Sequence, residues 1–205
     1  MEHLSDEMKS SVLKQVSDFL KGEVCESRFF HTLAVKEEIS LLGKIYLPDD
    51  IFELQIAALL HDITKEYSAE KQLETCRAFG IILEKQDILT PKTLHARTAA
   101  LLIPILYPEF ADDEVISAVR WHTTGNADMS LLEKIVYLAD YIDMSRKFED
   151  CVRLRAIFWD AEPEKMSEAK VGFRFKYLLN SAERVVSGET VLSEIENSES
   201  FDRVC

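Results

Sequence analysis

Histidines and aspartates recur in this chain on helical stripes of otherwise apolar residues. His31 shares a helix face with Ala34 and Val35, which follow it by three and four residues. His61 likewise lies four residues after Ala57 and shares its face. A buried polar group without a partner costs roughly 1–3 kcal/mol. Each of these side chains therefore requires a partner inside the fold.

Six residues share this placement, which brings imidazoles and carboxylates towards a common core. They are His31, His61, Asp62, His95, His122 and Asp140. Any one of them alone is most simply a hydrogen-bonded core histidine or a capping aspartate. Imidazole nitrogens and carboxylate oxygens are also the ligands that hold iron, manganese or zinc, and a bound metal removes the burial penalty. The six together indicate a metal site, and the pattern alone does not specify its use.

Helical periodicity dominates the sequence that must position these residues, and it predicts an all-α fold. The 6 Gly and 5 Pro among 205 residues are few for an all-β or loop-rich protein. The predicted helices cover about residues 5–21, 28–46, 51–65, 68–79, 94–106, 112–123, 130–145 and 150–160, and a last one runs from Pro163 to about residue 186. Ser130 and Glu133 predict a capping box, and Gly80 predicts a helix end. We expect one domain over residues 1–186 and an acidic, mobile tail over 187–205.

The formal net charge of -13 bears on partners. Such a surface repels nucleic-acid backbones and anionic membranes, so we expect neither as a partner. The apolar run over residues 99–107 is too short to span a bilayer, and four scattered cysteines are typical of reduced thiols. We therefore expect a cytoplasmic protein. An anionic substrate would have to be attracted locally, by metal ions and a few Arg or Lys side chains.

Three motifs resemble a known family. The run AALLHDITK at residues 57–65 resembles the signature of the HD superfamily of metal-dependent phosphohydrolases, and RFFHTLAV at 28–35 resembles its first-histidine helix. The segments AVRWHTTG at 118–125 and ADYI at 139–142 are similar to the branch of symmetrical diadenosine tetraphosphate hydrolases. The resemblance covers about residues 10–160. This chain has Asp143-Met144 where that branch usually has Glu-Pro.

The resemblance implies an HD-domain helical bundle with a metal site in its core. One metal would be held by His31, His61, Asp62 and Asp140, and a second by His95 and His122 with Asp62 or a hydroxide between the two metals. Binuclear iron is the implied metal, and the ligand types also admit manganese. The implied reaction is attack of a metal-activated water on a phosphorus of the central anhydride, which converts diadenosine tetraphosphate to two ADP.

The resemblance also implies residue roles. Asp62 and Lys65 would be catalytic. The expected substrate-binding residues are Asp62, Ile63, Thr64, Lys65, His95, His122, Thr123, Asp140 and Arg146. The expected partner is a dinucleoside polyphosphate or another nucleotide, and a homodimer is implied as well. Two alternatives stay open: an HD-domain nucleotidase or other nucleotide phosphohydrolase, and a catalytically inactive nucleotide-sensing module.

Overall fold

The computed structural model describes residues 4–160, and this part of the chain contains helices and turns but no strand. The all-α prediction is confirmed for these residues. The α-helices are α1 (Asp6–Glu23), α2 (Glu26–Tyr46), α3 (Ile51–Leu60), α4 (Ala69–Ala78), α5 (Lys85–Leu89), α6 (His95–Leu106), α7 (Asp113–Trp121), α8 (Leu131–Ile142) and α9 (Glu149–Asp160). Short 3-10 helices lie at Pro48–Asp50, Pro91–Leu94 and Pro108–Phe110. The predicted helix after Pro163, the domain boundary at residue 186 and the acidic tail lie outside the described residues.

Local capping explains several helix ends. The predicted capping box opens α8, where the Glu133 N–H donates to Ser130 Oγ at 3.2 Å and the Ser130 N–H donates to Glu133 Oε2 at 2.7 Å. Ser68 caps α4 by accepting the N–H of Lys71. Gly80 follows α4 with φ of 71°, a conformation that favours glycine. The predictions for Ser130 and Gly80 are therefore confirmed.

Two predicted helix ends are wrong because tertiary contacts end the helices early. Helix α3 ends at Leu60 instead of near residue 65, and residues 61–66 form turns in which the Lys65 N–H donates to the Asp62 carbonyl at 3.0 Å. The Thr64 hydroxyl in this turn donates to the His95 carbonyl at 2.8 Å. Helix α8 ends at Ile142 instead of residue 145, and the Ile142 carbonyl accepts a hydrogen bond from Arg155 of α9. The His-Asp dipeptide therefore lies on a turn and not inside a helix.

Helix α5 was not predicted. It is only five residues long, so periodicity gives little signal for it. A capping box formed by Glu84 and Asp87 stabilises its first turn. The neighbouring 3-10 helix then leads directly into His95 at the start of α6.

Helix α3 lies at the centre of the core. It contacts α1, α2, α7 and α8, and seven of its ten residues are buried: Phe52, Leu54, Ile56, Ala57, Ala58, Leu59 and Leu60. Helix α2 approaches it closely at Gly43, where an added Cβ would lie 2.9 Å from Leu54 Cδ1. The central helix therefore places the turn that carries His61 and Asp62 among the neighbouring helices. Among the described residues, none of the helices combines the length and the apolar character needed to cross a bilayer.

Candidate metal centre

Five helices bring the six predicted ligands together. The supporting positions are the body of α2, the turn after α3, the first residue of α6, the residue after α7 and the body of α8; they carry His31, His61 with Asp62, His95, His122 and Asp140, respectively. The four imidazoles and Asp62 are all buried. Residues distant in sequence thus meet in one polar cluster inside an apolar core.

Asp62 lies between two pairs of imidazoles. Its Oδ2 atom is 3.5 Å from Nε2 of His61 and 3.8 Å from Nε2 of His31. Its Oδ1 atom is 3.2 Å from Nε2 of His95 and 3.5 Å from Nε2 of His122. The ring nitrogens of His95 and His122 are themselves 3.1 Å apart. His31 and His61 form the first half of the cluster, and His95 and His122 form the second half. The Asp62 carboxylate therefore faces both halves.

Asp140 completes the first half of the cluster. Its Oδ1 atom is 2.9 Å from Nε2 of His31 and 3.9 Å from Nε2 of His61. Two overlapping groups have ligand atoms within 4.8 Å of one another: His31 with His61 and Asp140, and His61 with Asp62 and His122. This spacing suits nitrogen and oxygen ligands that share metal ions.

Unsatisfied buried atoms test whether a metal fits here. Nε2 of His31, Nε2 of His61 and Oδ1 of Asp62 have no well-directed hydrogen bond to any residue within 4–160, despite their short distances to one another's side chains. Leaving such atoms buried and unpaired costs free energy. A coordinated cation would satisfy all three. The donor set therefore fits a metal centre.

Backbone carbonyls orient three of the imidazoles. The Nδ1 atoms of His61, His95 and His122 each lie 2.6–2.7 Å from a carbonyl oxygen three residues earlier in the chain. These carbonyls belong to Ala58, Lys92 and Val119. An imidazole that donates from Nδ1 presents the lone pair of Nε2, as metal-ligating histidines generally do.

The ionisation of the carboxylates favours cation binding. Burial opposes the charge on Asp62, but the neighbouring His61, His122 and His95 hold its pKa well below the usual range. Burial opposes the charge on Asp140 as well, and its pKa is also held well below the usual range, by His31 and Arg146. Both groups are therefore anionic at neutral pH.

The imidazole pKa values differ within the cluster. Burial lowers the pKa of His31, but the nearby carboxylates of Asp140 and Asp143 outweigh it and raise the value to about 9. Burial lowers the pKa of His122. A metal at His31 would therefore displace a proton in neutral solution.

Three cationic side chains within residues 4–160 flank the cluster. Arg28 Nη1 is 2.5 Å from Asp62 Oδ2, and Lys65 Nζ is 3.7 Å from Asp62 Oδ1. The Nε of Arg146 donates to the Asp140 carbonyl at 2.8 Å. Each of the three side chains is between 25% and 30% exposed, so each is partly accessible to solvent beside the cluster. Burial lowers the pKa of Lys65, although Asp62 opposes that shift.

The remaining predicted substrate-binding residues lie in different surroundings. Thr123 Oγ1 is 2.9 Å from Nε2 of His95, so it belongs to the cluster. Thr64 is fully buried, and its hydroxyl bonds to the carbonyl of His95 and to Thr98. Ile63 lines an apolar groove beside α1. Thr123 therefore contacts a side chain of the cluster, the Thr64 hydroxyl contacts the backbone of His95 and the side chain of Thr98, and Ile63 lies in the groove beside α1.

Arg28 was not among the predicted site residues, although the sequence carried a signal for it. It precedes His31 by three residues and so shares its helix face. An arginine near a helix start is usually a solvated surface charge, and no other feature of the sequence indicates a contact with Asp62.

Comparison with known proteins supports this reading of the geometry. The HD domain family model matches residues 28–145. A protein named bis(5'-nucleosyl)-tetraphosphatase, symmetrical, from Halalkalibacterium halodurans is 36% identical over 141 residues, which are 66% of this chain and 71% of the relative. One of the same name from Staphylococcus aureus is 29% identical over 136 residues, which are 65% of this chain and 68% of the relative.

A solved structure shows the same fold. A protein described as a predicted HD superfamily hydrolase involved in NAD metabolism, from Clostridium acetobutylicum, is similar with a TM-score of 0.68 at 29% identity, over 87% of this chain and 89% of that one. The family match covers more than half of the chain and includes all six clustered residues. The chain therefore belongs to the HD domain family of metal-dependent phosphohydrolases, as its motifs predicted.

Proposed function

We propose that this protein hydrolyses diadenosine tetraphosphate symmetrically, giving two ADP. The position of Asp62 between two pairs of imidazoles carries the proposal, because a carboxylate placed this way can serve two metal ions. The names of the relatives from H. halodurans and S. aureus support the choice of substrate.

The ligand assignment follows the two halves of the cluster. We assign His31, His61, Asp62 and Asp140 to one metal, and His95 and His122 to a second for which Asp62 would also be a ligand. Iron is the proposed metal, with manganese as the alternative. When bound, such ions supply Lewis-acid chemistry, which makes water nucleophilic near neutral pH and withdraws charge from a phosphoryl oxygen.

The chain's own cations act on the phosphates. Lys65 Nζ lies 2.9 Å from His95 Nε2, at the edge of the second half of the cluster. Arg28 and Arg146 lie beside the two carboxylates of the first half. A tetraphosphate chain is strongly anionic, and guanidinium groups bind its oxygens with matched geometry. These three residues supply local attraction in a chain whose net charge is -13.

Product analysis tests the proposal. The protein is purified without added metal, its iron, manganese and zinc are quantified, and it is incubated with a panel of dinucleoside polyphosphates and mononucleotides. We expect ADP as the sole product from diadenosine tetraphosphate. AMP plus ATP would reject symmetrical cleavage, and preferential release of phosphate from mononucleotides would favour a nucleotidase. Tight nucleotide binding without turnover in iron or manganese would favour a sensing module.

A further inference from the structure

His31 is oriented differently from the other three imidazoles. His61, His95 and His122 lie at helix ends and bond to nearby backbone carbonyls. His31 lies inside α2, where the carbonyls serve the helix's own hydrogen bonds. Its Nδ1 atom instead faces Ser145, which is 114 residues away in the chain and follows α8.

The other hydrogen bonds of Ser145 determine which atom donates in this contact. Ser145 Oγ lies 3.0 Å from Nδ1 of His31. The Ser145 hydroxyl donates to Asp143 Oδ1, and the Ser145 N–H donates to the same oxygen at 2.8 Å. A hydroxyl has one hydrogen to donate, so the Ser145 oxygen can only accept from His31. Nδ1 therefore carries a hydrogen, and a neutral His31 presents the lone pair of Nε2 towards Asp140.

Asp143 reinforces this orientation. It is fully buried, and its Oδ2 atom is 3.4 Å from Nδ1 of His31. Within residues 4–160 that oxygen has no well-directed hydrogen bond. Burying a carboxylate oxygen in this state is costly unless a charge or donor lies nearby. Nδ1 of His31 and Nε of Arg146, which is also 3.4 Å away, are the nearby groups.

Helix α9 holds the loop that carries these residues. The guanidinium of Arg155 donates to the carbonyls of Ile142, Asp143 and Arg146. Three carbonyls bound by one side chain fix the path of the backbone after α8. The positions of Asp143 and Ser145 are thus determined from outside the cluster.

We propose that Asp143 and Ser145 are positioning residues for the metal centre. Asp143 accepts a hydrogen bond from Ser145, and Ser145 accepts one from Nδ1 of His31. This chain of hydrogen bonds, the relay, keeps a hydrogen on Nδ1 and leaves Nε2 of His31 to bind the metal. The inference rests on the proposed metal-binding role of His31. Partners of this kind typically change metal affinity 10- to 100-fold when they are removed.

Calorimetric titration of the metal-free protein with Mn²⁺ tests the relay. We expect Asp143→Ala and Ser145→Ala to weaken Mn²⁺ binding about 10- to 100-fold. Ser145→Thr keeps the hydroxyl and should restore affinity close to that of the original protein. The control is Ser40→Ala, which removes a half-buried hydroxyl elsewhere on α2, one that bonds to Gln55 and to the Lys36 carbonyl and should leave Mn²⁺ affinity unchanged.

The outcomes separate the relay from the metal centre itself. If the unmodified protein binds no Mn²⁺, the proposed metal-binding function fails. If it binds Mn²⁺ and both alanine variants bind equally well, the relay is overturned while the metal centre stands. Lower thermal stability in those variants with unchanged Mn²⁺ affinity would also overturn it, because it would indicate a merely structural role. Should Asp143→Ala not fold, Ser145→Ala and Ser145→Thr decide the question.

Discussion

At the residue scale, the two oxygens of Asp62 face different parts of the cluster. Oδ2 lies near His31 and His61, whereas Oδ1 lies near His95 and His122. Loss of this carboxylate would leave four imidazoles around a buried space with less negative charge. Cation binding to both halves of the cluster should then fail together.

The first prediction concerns this carboxylate. We expect Asp62→Ala to abolish both bound transition metal and turnover, because each proposed metal loses a shared ligand. Metal content is measured by plasma mass spectrometry, and turnover by ADP release. Ser40→Ala again provides the control and should keep both. An Asp62→Ala protein with its full metal complement would contradict the ligand assignment.

The second prediction separates metal binding from catalysis at Lys65. Its ammonium lies beside the ligands, so Lys65→Ala should keep the metal and slow turnover by about 100-fold, as expected for loss of a group that stabilises developing charge. Lys71→Ala changes an exposed lysine on α4 and should have no effect. Full activity in Lys65→Ala would remove this residue from the mechanism.

The sequence indicates the clustered residues more readily than the residues that contact them. His61 and Asp62 could be predicted because polar residues on an apolar stripe conflict with the pattern around them. The contact of Ser145 with His31 joins residues 114 positions apart, and no periodicity reports such a distance. In the sequence, Asp143 is only a departure from the family's usual residue at that position. Its burial beside His31 depends on the fold, so no sequence pattern predicts it.

At the element scale, the apolar stripes predicted the helices, and tertiary contacts set several of their ends. Local signals sufficed at Ser130, where a side-chain cap begins α8, and at Gly80, where a positive φ follows the end of α4. They did not suffice after Leu60, because the following turn is held by the bond from Thr64 to the carbonyl of His95. That contact requires α6 to be in place, so local sequence does not encode it.

The third prediction concerns the close approach of α2 to α3. A side chain at Gly43 would meet Leu54 and Ile51, so Gly43→Val should destabilise the protein by about 1–3 kcal/mol through overpacking. Gly22 in α1 has open space around it, so Gly22→Ala should stabilise the protein by about 0.5–1 kcal/mol. Denaturant titration measures both changes. Equal effects of the two variants would contradict the close approach of α2 to α3 at Gly43.

At the scale of the whole molecule, a strongly acidic chain concentrates a few cations where an anionic substrate would bind. The formal net charge is -13, yet Arg28, Lys65 and Arg146 all flank the ligand cluster. The apolar core also encloses titratable groups, so its stability depends on their protonation and on bound metal.

The fourth prediction follows from the titration of His31 in protein stripped of metal. Its pKa is raised from 6.5 to about 9, because Asp140 and Asp143 outweigh the effect of burial. A raised pKa in the folded state contributes stability that is complete below pH 6.5 and is lost as the pH rises through 9. The free energy of unfolding should therefore fall across this window, and His31→Gln should flatten the decline. An unchanged slope in that variant would contradict the assignment.

Anomalous X-ray diffraction from crystals of the manganese-loaded protein would locate the bound metal. We expect anomalous peaks at the Asp62 carboxylate, within coordination distance of Nε2 of His31 and His61 on one side and of His95 and His122 on the other. Absence of any peak at Asp62, or manganese bound only at residues outside this cluster, would contradict this expectation.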